Sequence, residues 1–273
     1  MKSIFALVAT LLPTLALGAR FECLIEPSQV VELRASVDGV IASVHAQRGD
    51  VLRKGQVMVE LQSASERVAV ESARFRAQMD GQVAAGRNRV DYATKKVARL
   101  KDLQEQNYAS AQARDEAEAE RRLAESELLL AVENRELAKI EHRRALEQLA
   151  LRTLTSPFGG VVVDRLLNPG DLAESGSGRK PILKIAQVDP MKVDVVLPAA
   201  LWGQVKAGQQ AKVAASVGGL RYVASVKIID RVIDAASATF VVRLELPNPQ
   251  LSVPGGSRCT AEFEGLAGPA GKL

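Results

Sequence analysis

The chain carries one motif twice, and a long helix-prone stretch separates the copies. The first copy is SVDGVIASVHAQRGDVLRKGQVMVEL, Ser36 to Leu61, and the second is SPFGGVVVDRLLNPGDLAESGSGRKPILKI, Ser156 to Ile185. At a fixed offset, Gly39-Val40-Ile41 falls on Gly160-Val161-Val162, and Gly49-Asp50-Val51 on Gly170-Asp171-Leu172. Each copy alternates short β-branched runs with Gly-Asp or Pro-Gly turns, the pattern of short strands joined tightly. Gly49 and Gly170 stand where such turns ask for a positive φ. A half of about 30 residues buries too little surface to stand alone. The copies therefore have to pack face to face as one small sandwich or flattened barrel, split by the stretch between them. Within the second copy, Ser175-Gly176-Ser177-Gly178 reads as a mobile turn.

The stretch from Ala64 to Ala150 has no proline and is rich in Ala, Glu, Arg, Gln and Leu, all good helix formers. Helix propensity drops at Asn107-Tyr108-Ala109-Ser110. Before that break Val83, Val90 and Val97 recur every seventh residue, with Met79, Gly86, Ala93 and Leu100 at the partner positions. After it Leu123, Leu130 and Leu137 recur in the same way, flanked by Ala117, Ala124, Ala131, Ala138 and Ala145. A seven-residue repeat predicts two helices supercoiled about each other, with a narrow alanine-rich seam. Arms of about 40 residues at ~1.5 Å per residue reach ~60 Å. The charged outer faces are those of a solvated surface. A hairpin of that length on a small base is suited to meeting something at a distance.

The half-motif, G-V-I then G-D-x-V then G-Q and a strand, resembles the halves of lipoyl and biotinyl domains. Carriers of that fold hold a modified lysine after the last strand of the first half. This chain has Gln62-Ser63-Ala64-Ser65 there, so a swinging-arm carrier is not expected. Lipoyl halves separated by a helical hairpin are similar to the periplasmic adaptor proteins, or membrane fusion proteins, of the HlyD and RND type. At the expected hairpin tip, Arg99-Leu100-x-x-Leu103 followed by Ser110 resembles the R-L-x-x-L-x-x-x-x-x-x-S motif of adaptors that dock on TolC-like outer-membrane channels. Spacing alone favours a structural role, with Leu100 and Leu103 closing the seam, Arg99 solvated and Ser110 capping the second helix. The resemblance implies a docking role for Arg99, Leu100, Leu103 and Ser110. It also implies an inner-membrane transporter, of RND type or else an ABC or type I exporter, and side-by-side packing of copies, typically six.

From Met191 the pattern turns to short strands: Met191 to Leu197, Gln210 to Ser216, Leu220 to Ile229, Phe240 to Leu246 and Arg258 to Phe263. Turn signals between them suggest a small antiparallel barrel, and the run from Ala238 to Phe263 is similar to the adaptors' β-barrel. The expected fold class is therefore α+β, elongated and multi-domain. It divides into residues 19–31 as a strand joining the barrel, 32–63 and 151–189 as the lipoyl halves, 64–150 as the hairpin, 190–265 as the barrel and 266–273 as a tail. Trp202 is expected to pack at a barrel edge.

The N-terminus predicts export. Lys2 precedes an apolar run, Ile4 to Leu17, that ends in Ala16-Leu17-Gly18. That is the layout of a cleaved signal peptide over residues 1–18, and the run is too short for the ~20 residues of a spanning helix. The expected compartment is the periplasm. In an oxidising compartment the two cysteines, Cys23 and Cys259, either form a disulfide or stay as buried thiols in β-strands.

A net charge of +4 with both signs interspersed gives no footing for nucleic acid. The two histidines, His45 and His142, have no Cys, His or carboxylate at metal-ligand spacing. No nucleophile elbow, phosphate loop or dinucleotide fingerprint occurs in a suitable context. The sequence predicts a non-enzymatic protein without metal or cofactor.

Overall fold

The computed structural model describes residues 19–176, 178–217 and 219–266. The expected signal peptide, the tail beyond Leu266 and Ser177 of the expected turn lie outside the described residues. In chain order the elements are β1 (Arg20–Leu33), β2 (Gly39–Val44), β3 (Val51–Leu52), β4 (Val57–Leu61), α1 (Ala64–Gln78), α2 (Gly81–Glu105), α3 (Ala111–Ala150), β5 (Thr153–Thr155), β6 (Gly160–Arg165), β7 (Leu172–Ala173), β8 (Leu183–Pro198), β9 (Gln210–Ala215), β10 (Arg221–Ile229), β11 (Thr239–Leu246) and β12 (Ser257–Phe263).

The two copies of the motif interlock. β3 of the first copy pairs with β6 of the second through Val51 and Val161, and β2 pairs with β7 through Gly39 and Ala173. The turn bonds repeat across the halves. Gly49 N–H donates to the Val162 carbonyl and Gly170 N–H to the Ile41 carbonyl, each at 2.9 Å. Val162 N–H then donates to Asp50 and Ile41 N–H to Asp171, again at 2.9 Å. Inside each turn a carboxylate accepts a backbone N–H, Gln47 to Asp50 at 2.7 Å and Asn168 to Asp171 at 2.8 Å. The glycines have φ of 94° and 93°, which a side chain would oppose. Ile41, Leu52, Met58, Leu61, Val162, Ile182 and Ile185 form the buried core between the halves, which neither copy can close alone.

β6 lies hard against β8. A Cβ added at Gly160 would collide with the Ala186 carbonyl oxygen and sit 3.0 Å from its carbon. Gly160→Ala is expected to destabilise the protein by about 1–3 kcal/mol, the usual cost of overpacking. The readout is a lower midpoint of urea unfolding at unchanged slope. An unchanged midpoint would mean that β6 can move away from β8.

The barrel has six strands, in the order β1-β12-β9-β10-β11-β8, and closes through β1 and β8. Strict alternation along β11 and β12 turns every second side chain inward, as the period of a strand requires. Ile25, Val193, Val195, Val213, Val242, Leu244, Phe240 and Phe263 fill the interior. Cys23 and Cys259 face each other as registered partners on β1 and β12, buried and bridged as a disulfide with Cα atoms 4.8 Å apart.

Two strands differ from the sequence reading. β1 does not end at the barrel, nor does β8 begin there. Cys23 to Pro27 pairs with Val195 to Met191 in the barrel, and Gln29 to Leu33 goes on to pair with Gln187 to Leu183 in the sandwich. The boundaries placed at 31/32 and 189/190 thus fall inside or beside continuous strands. Asp189-Pro190 signals a break, but the register shifts between Pro27 and Gln29 opposite it. A proline is tolerated at such a bulge.

The hairpin also differs. Its ascending arm is two helices, α1 and α2, because Met79 is extended (ψ 113°). The inward column of α1 is Val70, Ala73 and Ala77, and that of α2 is Val83, Gly86, Val90, Ala93, Val97 and Leu100, all buried or half-buried. From Ala77 to Val83 is one residue short of the seven that keeps this column in phase. One residue of helix turns by about 100°, so a continuous helix would swing the second column off the seam. The non-helical pair Met79-Asp80 resets it, and Met79, expected in the seam, is exposed instead. On α3 the alanine column lies inward, with Ala117, Ala124 and Ala145 buried and Ala131 and Ala138 half-buried. Its partner column is Arg121, Leu128, Arg135, His142 and Leu149. Leu123, Leu130 and Leu137 are 61%, 59% and 55% exposed, so the leucine column lies outside the seam. The sequence period is right, but two columns share it. Small side chains won the seam because the arms approach closely: a Cβ on Gly86 would come 3.2 Å from the Leu128 Cα.

Candidate functional site

The tip of the hairpin is built by local backbone chemistry. α2 ends with Asn107 in the left-handed region at φ 61°. Asn107 N–H donates to the Gln104 carbonyl at 2.9 Å and Tyr108 N–H to the Leu103 carbonyl at 2.8 Å, the paired bonds that satisfy the last carbonyls of a helix. Ser110 then caps α3, its Oγ accepting from Ala113 N–H at 3.1 Å, one of the free donors of a helix start. These two caps, at Asn107 and Ser110, stand three residues apart and reverse the chain tightly.

All four tip residues named from the sequence stand at this end. Leu100 and Leu103 are half-buried between the arms, whereas Arg99 and Ser110 are exposed. Ser110 does act as a cap, and Leu100 does end the inward column. The sequence reading missed Tyr108, which is 80% exposed at the crest of the turn. An aromatic residue in an otherwise polar turn was the signal for it.

Ion pairs cross the seam along the arms: Lys96 to Glu120 at 2.5 Å, Arg135 to Asp80 at 2.6 Å, Arg76 to Glu141 at 3.5 Å, and Arg89 with Glu127. The hydrogen bond to Glu120 raises the pKa of Lys96. Such exposed pairs add little stability each, but they fix the register of one arm on the other and so hold the tip in place.

The base of the hairpin is clamped by Arg152. Its guanidinium donates to the Asp38 carbonyl oxygen at 2.8 Å and to the Glu66 carboxylate at 2.6 Å. It thereby joins the first half of the sandwich, the start of α1 and the end of α3. The Asp38 carboxylate accepts from Ser175 N–H and Oγ at 2.6 and 2.8 Å, which tethers the start of the turn expected to be mobile. Those two bonds hold the Asp38 pKa below its ordinary value.

Ser43, His45 and Glu60 lie together, with His45 Nε2 3.1 Å from Ser43 Oγ and 3.2 Å from Glu60 Oε1. Both contacts use one ring nitrogen. A nucleophile–base–carboxylate relay needs both, so this cluster is not such a relay. Among the described residues no group of three or more His, Cys, Asp or Glu is placed to hold a metal ion. Among them, too, no helix is long and apolar enough to cross a membrane.

Residues 29–186 match the family model described as CzcB-like, barrel-sandwich hybrid domain. The chain belongs to this family. The family is one of membrane fusion, or periplasmic adaptor, proteins, a non-enzymatic class of transport component. The chain is 26% identical over 231 residues to the multidrug resistance protein MdtA of Cronobacter turicensis, covering 82% of this chain and 52% of that protein. It is 24% identical over 198 residues to the pyoverdine export membrane fusion protein PvdR of Pseudomonas putida, covering 72% and 50%. The chain thus spans about half the length of these relatives. The solved structure of MacA from Actinobacillus actinomycetemcomitans has the same fold, at a TM-score of 0.73 and 22% identity, over 90% of this chain and 78% of that one.

Proposed function

We propose that this protein is the periplasmic adaptor of a tripartite efflux or export assembly, delivered to the periplasm by its N-terminal segment. Its hairpin tip docks on a TolC-like outer-membrane channel through Arg99, Leu100, Leu103 and Ser110. The other end serves an inner-membrane transporter of RND type, the alternative being an ABC or type I exporter. The observation that carries the reading is the tip itself. The four residues gather on one turn and loop, at the end of a hairpin with no core of its own to serve. The exposed column Leu123, Leu130 and Leu137 supports side-by-side packing of copies, six in the complete assembly, since an exposed apolar stripe marks an interaction surface.

In-cell photocrosslinking tests this reading. A crosslinker at Tyr108 is expected to capture an outer-membrane channel, and one at Val223 on the outer wall of the barrel an inner-membrane transporter. Mass spectrometry of the second product decides between RND and ABC partners. Capture at Tyr108 of only other copies of this chain would remove the docking role from the tip.

A further inference from the structure

The end of the barrel remote from the hairpin carries an apolar rim that the adaptor reading leaves unused. Strand register places it. β8 runs from the sandwich at Leu183 to this end at Pro198, where Pro198 pairs with Thr239 at the start of β11. The connection after Pro198 and the loop 230–238 are therefore neighbours, and Ala199 N–H donates to the Ala238 carbonyl at 2.8 Å. β1 begins at the same end, with Arg20 opposite Glu262.

Three large apolar side chains are open there: Val232 at 80% exposure, Trp202 at 42% and Ile233 at 41%. Trp202 stands edge-on to Phe240 with ring centroids 5.1 Å apart. One side of the indole is thus seated on the barrel core and the rest is open. Arg231 and Asp230 flank the aliphatic pair, both exposed. The Asp234 carboxylate folds back into its own loop to accept Ala236 N–H at 2.8 Å. A tryptophan, aliphatic residues and an arginine on one rim are the composition of a membrane–water boundary. There an indole keeps its body in the apolar zone and its N–H in the wet one, and an arginine reaches out to headgroups. The position of the N-terminus is a second, independent pointer. Ala19 N–H is bonded to the Leu266 carbonyl at this end, and the residues before it are the apolar run Ile4 to Leu17. On the export reading proposed above, that run holds this end of the molecule at the bilayer for as long as it stays attached.

We propose that the rim formed by Trp202, Val232 and Ile233 rests in the interfacial layer of a phospholipid bilayer. This contact does not depend on what the hairpin tip meets. It gives the barrel a fixed orientation, with the hairpin directed away from the membrane.

Trp202 is the only tryptophan in the chain, so its fluorescence reports the rim alone. The protein starting at Ala19, which contains every described element, is mixed with vesicles of phosphatidylethanolamine and phosphatidylglycerol, with and without brominated acyl chains. The expected result is co-sedimentation, a shift of Trp202 emission to shorter wavelength, and quenching by the brominated chains. In the double variant Val232→Asp, Ile233→Asp, vesicle partitioning should fall about tenfold or more, because carboxylates are costly in the apolar layer. Its melting should be unchanged, since both side chains are exposed. Trp202 emission that ignores vesicles, whether or not the protein sediments with them, would overturn the proposal. So would a response that appears only when a detergent-solubilised inner-membrane transporter is added, which would make the rim a protein-docking face.

Discussion

Leu103→Asp and Arg99→Glu are each expected to abolish export in cells while leaving the purified protein folded. Arg99 is exposed, so reversing its charge removes nothing from the core, and its melting temperature should match the parent. Leu103 is half-buried at the last turn of α2. Its loss frays one end of a helix whose other turns are pinned across the seam by the pairs from Glu120 and Glu127. An anchor at the centre of a small interface typically contributes about 2 kcal/mol or more, roughly 30-fold in affinity. The test pairs substrate susceptibility of cells with melting of the purified variants. Normal export by both variants would mean that the tip is not the docking site. A large fall in melting for Leu103→Asp, with Arg99→Glu fully active, would assign these leucines to closing the seam alone.

The second large effect is expected at the disulfide. Removing it by Cys23→Ser with Cys259→Ser should lower stability by about 2–4 kcal/mol, or roughly 5–15 °C in melting temperature. The bond joins residues 236 positions apart, so it restricts nearly the whole unfolded chain. Without it β1 still has ladder partners on both sides, β12 and β8, so the double variant should remain folded. Added dithiothreitol should shift the parent to the variant's midpoint and leave the variant where it was. Equal midpoints for parent and variant under oxidising conditions would show that the bridge contributes nothing to stability.

The parts of this fold that the sequence disclosed are those in which local chemistry and tertiary need agree. Gly49-Asp50 and Gly170-Asp171 announce turns, and the same residues make the bonds that lock one half onto the other. The reversal at Asn107 to Ser110 was legible because a poor helix stretch coincides with two real caps. The missed features are those in which a distant partner decides. Leu123, Leu130 and Leu137 have the right period for a seam and lost it to alanines on the adjacent column, since only small side chains admit the backbone at Gly86. The break at Met79 leaves no mark stronger than Asp80-Gly81, because its cause is a phase deficit between two columns. The length of β1 and β8 was hidden by Asp189-Pro190, whose breaker signal is absorbed by a bulge that only the pairing reveals. At the tip the residue types were readable and an aromatic in a polar turn marked Tyr108, but its place at the crest follows only from the caps on either side of it. Arg152 carried no motif at all, and its importance comes from three segments meeting around one guanidinium.

The way the hairpin is rooted decides how the molecule bears load. α1 grows out of β4 and α3 returns into β5, and these two strands are antiparallel neighbours in one sheet, Val57 opposite Thr155 and Glu60 opposite Thr153. A tug directed along β4 and β5 therefore loads both strands lengthwise from the same end. β4 is held in turn by β2, with Ile41 opposite Leu61 and Val44 opposite Val59, and antiparallel ladder bonds run perpendicular to the strands. The force falls on those bonds together, in shear, instead of opening them one after another like a zipper. Anchored in this way, the arm can be tensioned from its far end and pass that tension straight into the sandwich.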